Sequence, residues 1–268
     1  MILITGGTSY NVSDFLSKTN VSVCIVLNKK QPTIYRDNIK YFKNLSEFKN
    51  SKEKNMIEVI YNFASSYNYS KSLSSHFRSS FYFLFKIYRI TNKPNLKLIV
   101  NIGSYFQDIE IKKFSSYVIV KNFTTFFFTK LSKNTKYINL KLGDTFGKND
   151  TRDKIFKHLK DNKKNKNLVL LGNPNDVFYL VNIYDITKTL NYIYINLDLF
   201  VNSKILNATL FEKQIMLEEL ISLYEKTANV KFDKKFLNKD VTRPSFKILD
   251  CDYSFLVSKK TRMLLKEI

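Results

Sequence analysis

Tyr117 and Lys121 are the two side chains of this sequence best placed to move a proton. They stand four residues apart at the start of an apolar stretch with helical spacing, so a helix would carry both on one face. An ammonium close to a phenol stabilises the phenolate and lowers the pKa of the phenol. The pair therefore predicts a group that donates or accepts a proton near neutral pH.

A serine precedes this pair at the end of a second apolar run. Lys97–Ile102 is a predicted strand, and Gly103 and Ser104 follow it directly. A hydroxyl at this point could hydrogen-bond the same substrate oxygen as the tyrosine. Ser104, Tyr117 and Lys121 are the predicted catalytic residues.

A third candidate region lies at the beginning of the sequence, where an apolar run enters a glycine turn. Met1–Thr5 is a predicted strand, Gly6 and Gly7 follow it, and we expect a helix after Ser13 and Asp14. Backbone N–H groups between a strand and a helix N-terminus bind the phosphates of dinucleotides. The residues predicted to do so here are Thr5, Gly6, Gly7, Thr8 and Ser9.

A parallel sheet would bring these regions together. The predicted strands are Met1–Thr5, Val21–Leu27, Met56–Asn62, Lys97–Ile102 and Lys136–Leu142. They alternate with segments of helical spacing, of which Ser75–Thr91 is the clearest, and this alternation indicates an α/β fold. The last third has shorter strands and a predicted helix around Met216–Thr227. We expect residues 1–142 to form mainly a dinucleotide-binding domain and residues 143–268 mainly a small substrate-binding lobe. Residues of about 178–209 are expected to return to the main sheet.

Composition narrows the class of protein. The formal charge of +21 admits two interpretations. It could serve to bind a polyanionic partner, or it could be a compositional bias toward Lys and Asn without a binding role. The even spread of the lysines along the chain favours the compositional bias. We expect no membrane span and no nucleic-acid partner, because neither a long apolar window nor a basic-aromatic binding motif is present. Two cysteines and two histidines leave little for a disulfide framework or a zinc site. A cytoplasmic location and no bound metal are the expectations.

These motifs, in this order, resemble the extended short-chain dehydrogenases of the NAD-dependent epimerase/dehydratase family. The turn after Thr5 is similar to the family's T-G-G-T-G-x-x-G motif, and Tyr117–Lys121 to its Y-x-x-x-K pair. Residues 140–150 resemble the stretch written L-R-x-x-x-x-Y-G-P-x-D, and further matches lie at 180–186, 206–208 and 242–244. The resemblance implies a Rossmann-type doubly wound sheet, a nucleotide-diphosphate sugar as substrate, and a homodimer formed through Ser75–Thr91 and the helix of Tyr117.

The same resemblance extends the set of candidate binding residues. It implies that Phe63, Ala64 and Ser65 adjoin the dinucleotide, together with Tyr117 and Lys121. Asn28 and Lys29 after the second strand include no carboxylate, which favours NADP(H) and leaves NAD(H) possible. The implied substrate-binding residues are Lys148, Asn149, Arg152, Lys154 and Arg243.

The absence of certain acid and base groups limits which reactions the predicted site could catalyse. Ser104 is followed by Tyr105 and Phe106, which cannot supply the acid and base of a dehydratase, and the two cysteines lie in the wrong regions for C3 or C5 epimerisation. The 144–154 stretch is similar to reductases that complete 3,6-dideoxyhexoses such as CDP-abequose. This implies reduction of a nucleotide-linked 4-ketohexose by NAD(P)H, for a surface-polysaccharide sugar such as that of lipopolysaccharide O-antigen. A C4 epimerase and a non-catalytic dinucleotide-binding protein remain alternatives.

Four departures from the family pattern bear on that choice. Ser9 and Val12 replace the second and third motif glycines, and we expect the valine to shift the following helix or alter the turn. Tyr117 follows Ser104 by only 13 positions, which makes the intervening loop short. His76 stands where many members of the family carry an asparagine.

Overall fold

The computed structural model describes residues 1–27, 31–32, 34–65, 72–108, 115–131, 134–148, 150–211 and 213–237. The chain divides into two units. The first comprises Met1–Leu142 and Ile186–Thr209, and the second comprises Gly143–Asp185 and the described chain from Leu210 onward. That the first unit binds the dinucleotide and the second the sugar stays a prediction.

The helices and strands follow one another in α/β alternation. In chain order they are β1 Ile2–Thr5, α1 Tyr10–Lys18, β2 Val23–Val26, β3 Ile39–Phe42, α2 Leu45–Asn50, β4 Val59–Asn62, α3 Leu73–His76, a π-helical segment Phe77–Tyr82, α4 Phe83–Ile90, β5 Leu98–Ser104, α5 Ser115–Leu131, β6 Lys136–Leu142, β7 Asp144–Phe146, α6 Ile155–Asp161, β8 Asn167–Leu171, β9 Val177–Asn182, α7 Ile183–Ile195, α8 Leu197–Asn202, β10 Asn207–Leu210, β11 Lys213–Met216, α9 Leu217–Ala228 and β12 Asp233–Leu237.

A seven-stranded sheet forms the centre of the first unit. Its strand order is β10-β6-β5-β4-β1-β2-β3, and the neighbouring strands from β3 to β6 pair in parallel. The chain runs outward from β1 to β3 and then outward in the other direction from β4 to β6. Such a reversal opens a crevice at the carboxyl ends of the two central strands, which is where doubly wound folds bind their ligands.

Helices cover both faces of this sheet. On one face the ring of Phe15 in α1 meets the ring of Tyr61 in β4 edge to face, and the Tyr61 hydroxyl donates to the carbonyl of Leu190 in α7 at 2.7 Å. Ile60, the neighbour of Tyr61, points to the opposite face, because side chains alternate along a strand. There it joins a buried cluster with strand residues and with α4 and α5: Leu84, Ile87, Ile99, Phe128 and Tyr137. The predicted doubly wound α/β sheet is confirmed.

The predicted elements of the first unit are present with shifted ends. The five predicted strands are found with boundaries displaced by up to three residues. The prediction of a helix after Ser13 and Asp14 was wrong in its start, because α1 already begins at Tyr10. The predicted helix over Ser75–Thr91 contains a π-helical segment, in which the N–H of Phe83 donates to the carbonyl of Arg78, five residues back. This extra residue per turn shifts the side chains that follow it.

A line of polar side chains crosses the buried part of the sheet from β1 to β10. We call it the amide row, and it consists of Thr5, Asn62, Asn101, Asn139 and Asn207. The Thr5 hydroxyl donates to the side-chain oxygen of Asn62. The side-chain nitrogens of Asn62, Asn101 and Asn139 then each donate to the side-chain oxygen of the next asparagine, at 2.7, 3.1 and 3.3 Å respectively. The parallel register aligns the first four members, all of which are buried. Their polar atoms satisfy one another, which offsets the cost of burying them.

The second unit has its own sheets and core. β11, β9 and β7 form a three-stranded sheet, and β12 pairs in parallel with β8. Its core cluster joins these strands to α6 and α9 through Phe146, Phe156, Leu159, Leu168, Leu180, Ile215, Leu220 and Ile221. No helix in the described parts of the chain has the length and apolar character needed to cross a bilayer.

Candidate functional site

Gly6 forms the turn between β1 and α1 with a left-handed backbone. Its φ is +69°, and a Cβ at this position would lie 2.6 Å from the carbonyl carbon of Phe63 and 2.7 Å from the nitrogen of Ala64. A side chain here would strain the turn and collide with the backbone that follows β4. Glycine therefore allows the turn to approach the end of β4, at the chain reversal of the sheet. Phe63, Ala64 and Ser65, predicted to adjoin a dinucleotide, begin at this contact.

Ser9 caps the helix that follows the turn. Its N–H donates to the Gly6 carbonyl at 2.9 Å, and its hydroxyl oxygen accepts from the N–H of Asn11 at 3.4 Å. Serine is a favoured residue at this position because its oxygen satisfies a free helical N–H. Val12 is fully buried in the first turn of α1, and its N–H donates to the Ser9 carbonyl at 3.2 Å. The altered motif still forms a strand, a tight turn and a helix N-terminus.

Tyr117 and Lys121 lie on one face of α5 and are both buried, with 3% of each residue exposed. The Lys121 nitrogen is 5.5 Å from the centroid of the Tyr117 ring. The same nitrogen donates to the carbonyl of Ile102 in β5 at 2.5 Å. Burial lowers the pKa of the Lys121 ammonium to about 7, because the surrounding apolar atoms disfavour its charge. This lysine can therefore lose its charge near neutral pH.

Ser104 is the last residue of β5, two positions beyond the carbonyl that Lys121 contacts. At the rise of a strand, this separates the two residues by about 7 Å along β5. The Ser104 hydroxyl oxygen accepts from the N–H of Phe106 at 3.3 Å, and the residue is buried. The structure thus brings the three predicted catalytic residues to the carboxyl end of β5. Their chemical roles stay predictions.

His76 is a neighbour of the tyrosine that the sequence alone did not reveal as such. Its ring meets the Tyr117 ring edge to face, with centroids 5.7 Å apart, and its residue is fully buried. It ends α3, directly before the π-helical segment. π-Helical turns are frequent at functional sites, and this one lies beside the candidate tyrosine. The signal in the sequence was the unusual residue type at this position.

The predicted sugar-binding residues that the structure describes belong to the second unit. Arg152 makes a bidentate ion pair with Asp150 at 2.6 and 2.7 Å and donates to the hydroxyl and carbonyl of Thr145 at 2.8 and 2.9 Å. A substrate phosphate would have to compete with these partners. Lys154 precedes α6, with its nitrogen 3.4 Å from the Thr145 hydroxyl, and Lys148 is exposed.

Four predicted binding residues lie outside the described residues: Asn28, Lys29, Asn149 and Arg243. The sequence-based preference for NADP(H), which depends on Asn28 and Lys29, therefore stays a prediction. Within the described ranges, no group of three or more His, Cys, Asp or Glu side chains is arranged to hold a metal ion.

Solved structures share this fold over nearly its full length. UDP-glucose 4-epimerase from Thermotoga maritima, solved with UDP-glucose, has a TM-score of 0.79 at 15% identity, over 99% of this chain and 96% of its own. UDP-glucuronic acid 4-epimerase from Bacillus cereus, solved with UDP-glucuronic acid and NAD, has a TM-score of 0.78 at 14% identity over the same shares. UDP-N-acetylglucosamine 4-epimerase from Methanobrevibacter ruminantium, in complex with UDP-N-acetylmuramic acid, has the same TM-score, identity and shares.

Comparison at the level of sequence gives no match of this kind. No protein-family model matches it, and no curated protein is similar enough in sequence to count as a relative. The likeness therefore establishes the Rossmann-type fold of the nucleotide-sugar 4-epimerases, which the sequence had predicted.

Proposed function

We propose that the protein is an enzyme that uses a bound nicotinamide dinucleotide to interconvert the two C4 epimers of a nucleotide-diphosphate sugar. The observation that carries this proposal is the placement of Tyr117 and Lys121 at the carboxyl end of β5, with the lysine nitrogen on the Ile102 carbonyl. The fold supports the choice of substrate, since the similar structures are 4-epimerases with UDP-sugars.

The residues around the glycine turn fit a dinucleotide. The left-handed Gly6, the close approach to Phe63 and the capped start of α1 leave a helix N-terminus directed at the crevice, which suits a pyrophosphate. Thr5 to Ser9 would hold this part of the cofactor. A bound nicotinamide supplies the acceptor, and then the donor, of the two electrons exchanged with the sugar.

The three residues at the end of β5 would handle the proton. Tyr117 takes the proton of the sugar 4-hydroxyl during oxidation and returns it during reduction. Ser104 would donate a hydrogen bond to the same oxygen. Lys121 would hold the cofactor ribose and stabilise the phenolate form of Tyr117. Epimerisation would need no protein group beyond these and the bound nicotinamide, since inversion results when the keto sugar turns its other face before it is reduced.

The test is conversion of UDP-glucose, UDP-N-acetylglucosamine and UDP-glucuronic acid, followed by proton NMR of the C4 epimers, with and without added NAD. Tyr117→Phe keeps the ring and removes the hydroxyl, so turnover should fall by about 10²–10⁴-fold with binding largely kept. Tyr35→Phe, at a position 73% exposed and outside the candidate site, is the matched control and should change little. Unchanged turnover in Tyr117→Phe would contradict the assigned mechanism.

Reduction of a nucleotide-linked 4-ketohexose is the second candidate. The observation in its favour is the carboxylate-free sequence Asn28-Lys29-Lys30 after the second strand, because basic residues there accommodate the extra phosphate of NADPH. It predicts tighter binding of NADPH than of NADH, by a margin that shrinks as salt rises. Oxidation of NADPH by a freshly generated 4-ketohexose, without epimerisation of the three sugars above, would establish this reaction instead. Binding of dinucleotide without either reaction would indicate a non-catalytic protein.

We further infer a homodimer formed through α5 and the preceding helical region. α5 carries three large apolar side chains on its exposed side, Ile119, Phe123 and Phe126, at spacings of four and three residues. Leu73 and Tyr82 are also exposed in the helical region before it. A stripe of this kind on a helix is typical of a buried interface. A dimeric mass by light scattering at micromolar concentration is the expected result.

A further inference from the structure

Gln107 joins three parts of the candidate site with one side chain. It lies in the 3₁₀ turn Tyr105–Asp108, which follows β5. Its oxygen accepts from the Ser104 N–H at 3.0 Å and from the Asn139 amide at 3.4 Å. Its nitrogen donates to the side-chain oxygen of Asn122 in α5 at 3.0 Å. Gln107 therefore links the end of β5, the amide row and the helix of Tyr117.

This link lies where the chain is short. Tyr117 follows Ser104 by 13 positions, and Gln107 follows Ser104 by three. The N–H of Ser104 lies at the end of its strand, and a buried N–H there needs an acceptor. Gln107 supplies the acceptor and, through its hydrogen bond to Asn122, connects this strand end to α5.

A glycine makes room for the Gln107 side chain. A Cβ on Gly103 would lie 2.6 Å from the Asn139 side-chain oxygen and closer still to the Gln107 oxygen. Both atoms are ends of side chains rather than backbone, so an alanine at this position would displace Gln107 more readily than it would disrupt the strand. Gly103 is thus the residue that allows the glutamine to cross the end of β5.

We propose that Gln107 is a positioning residue that sets Ser104 and Tyr117 on the same substrate oxygen by tying the end of β5 to α5. This rests on the proposed function. Gln107 acts through the Ser104 N–H and through Asn122. A displacement of about 1 Å between two catalytic groups can cost on the order of 10²-fold in rate, so the loss of this link should be visible in turnover.

The first experiment separates positioning from stability by kinetics of the full-length protein. Gln107→Leu keeps the approximate shape and removes every hydrogen bond. We expect kcat to fall by about 10–100-fold while KM for the sugar changes less than about threefold. Gln107→Glu retains acceptors for the Ser104 N–H and for a rotated Asn122 amide, so it should keep at least about a third of kcat. Asp108→Asn removes the neighbouring ion pair with Lys141 and is the matched control, expected near the wild-type rate.

The second experiment reads the same link without any reaction. Hydrogen–deuterium exchange resolved to the Ser104 amide should be at least about tenfold faster in Gln107→Leu and in Gly103→Ala, and unchanged in Gln107→Glu. Three results would each overturn the proposal. The first is a wild-type kcat in Gln107→Leu, and the second is an equal loss of kcat in the Leu and Glu variants. The third is an unaltered exchange rate of the Ser104 amide in Gln107→Leu. If the wild-type protein turns over none of the sugars, the proposed function fails, and the exchange of the Ser104 amide still decides whether Gln107 holds this strand end.

Discussion

Replacement of Lys121 by methionine is expected to stabilise the fold in mildly acidic solution and to lose that advantage in alkaline solution. The physical reason is the burial of the lysine, which lowers its pKa from 10.5 to about 7. Each pKa unit corresponds to about 1.4 kcal/mol. A shift of this size therefore costs folding about 5 kcal/mol whenever the lysine is protonated in both states.

The pH window follows from the two pKa values. Below pH 7, both the folded and the unfolded chain carry the proton, so the whole cost is present. Between pH 7 and 10.5, the unfolded chain keeps a proton that the folded chain has released, so the free energy of unfolding rises with pH. Methionine avoids the cost and loses the hydrogen bond to Ile102, a loss of about 1 kcal/mol. We expect Lys121→Met to be more stable than the wild type by about 3–4 kcal/mol at pH 6 and by nothing at pH 10.

Urea unfolding followed by circular dichroism at several pH values from 6 to 10 measures this difference, and other titrating groups cancel because they are common to both proteins. Lys130→Met changes the same charge at an exposed position of the same helix, and its stability should stay within about 0.5 kcal/mol of the wild type at every pH. A stability difference for Lys121→Met that does not vary with pH would refute the reasoning. So would a wild type that is the more stable protein at pH 6.

Three further outcomes follow from contacts in the first unit. In Gly6→Ala, the free energy of unfolding should fall by about 1–3 kcal/mol and dinucleotide should bind more weakly, because the new Cβ would collide with Phe63 in a left-handed turn. An unchanged dinucleotide affinity, measured by calorimetry, would contradict this. Asn101→Leu removes one hydrogen bond from each of its two buried amide partners, so we expect a loss of about 3–5 kcal/mol in urea unfolding, and a loss under 1 kcal/mol would mean that the row adds little. Phe126→Glu, at a side chain 65% exposed, should give a monomer by light scattering while Tyr35→Glu, 73% exposed elsewhere, does not; a dimer in both would exclude α5 as the interface.

Much of the first unit could be predicted because its strands are continuous apolar runs. β1, β2, β4, β5 and β6 are buried on both faces, so each stands out locally in the sequence. β3 was missed, because it has four residues and only its two ends are buried. The π-helical segment was missed because its aromatic residues fit an ordinary helical spacing equally well.

The candidate site was predictable only where residues close in sequence act together. Tyr117 and Lys121 are one helical turn apart, and their common face follows from that spacing alone. Gln107 gave no such signal, since its partners lie in other elements as distant as Asn139. The partners of Arg152 could not be predicted either. An arginine in a predicted substrate-binding stretch can bind the substrate or form an internal ion pair, and the sequence does not distinguish the two.

The amide row has a consequence for how such sequences change over time. Each of its buried amides donates to the next in one direction, starting from the Thr5 hydroxyl, so Asn62, Asn101 and Asn139 are each both donor and acceptor. Loss of one of these three leaves one polar group of each neighbour without its partner in the row, whereas replacement of adjacent members by apolar residues of similar shape can be nearly neutral. Asn62, Asn101 and Asn139 should therefore be inherited as a block. Homologous chains would carry the whole set of asparagines or an apolar set in its place, and rarely a mixture of the two.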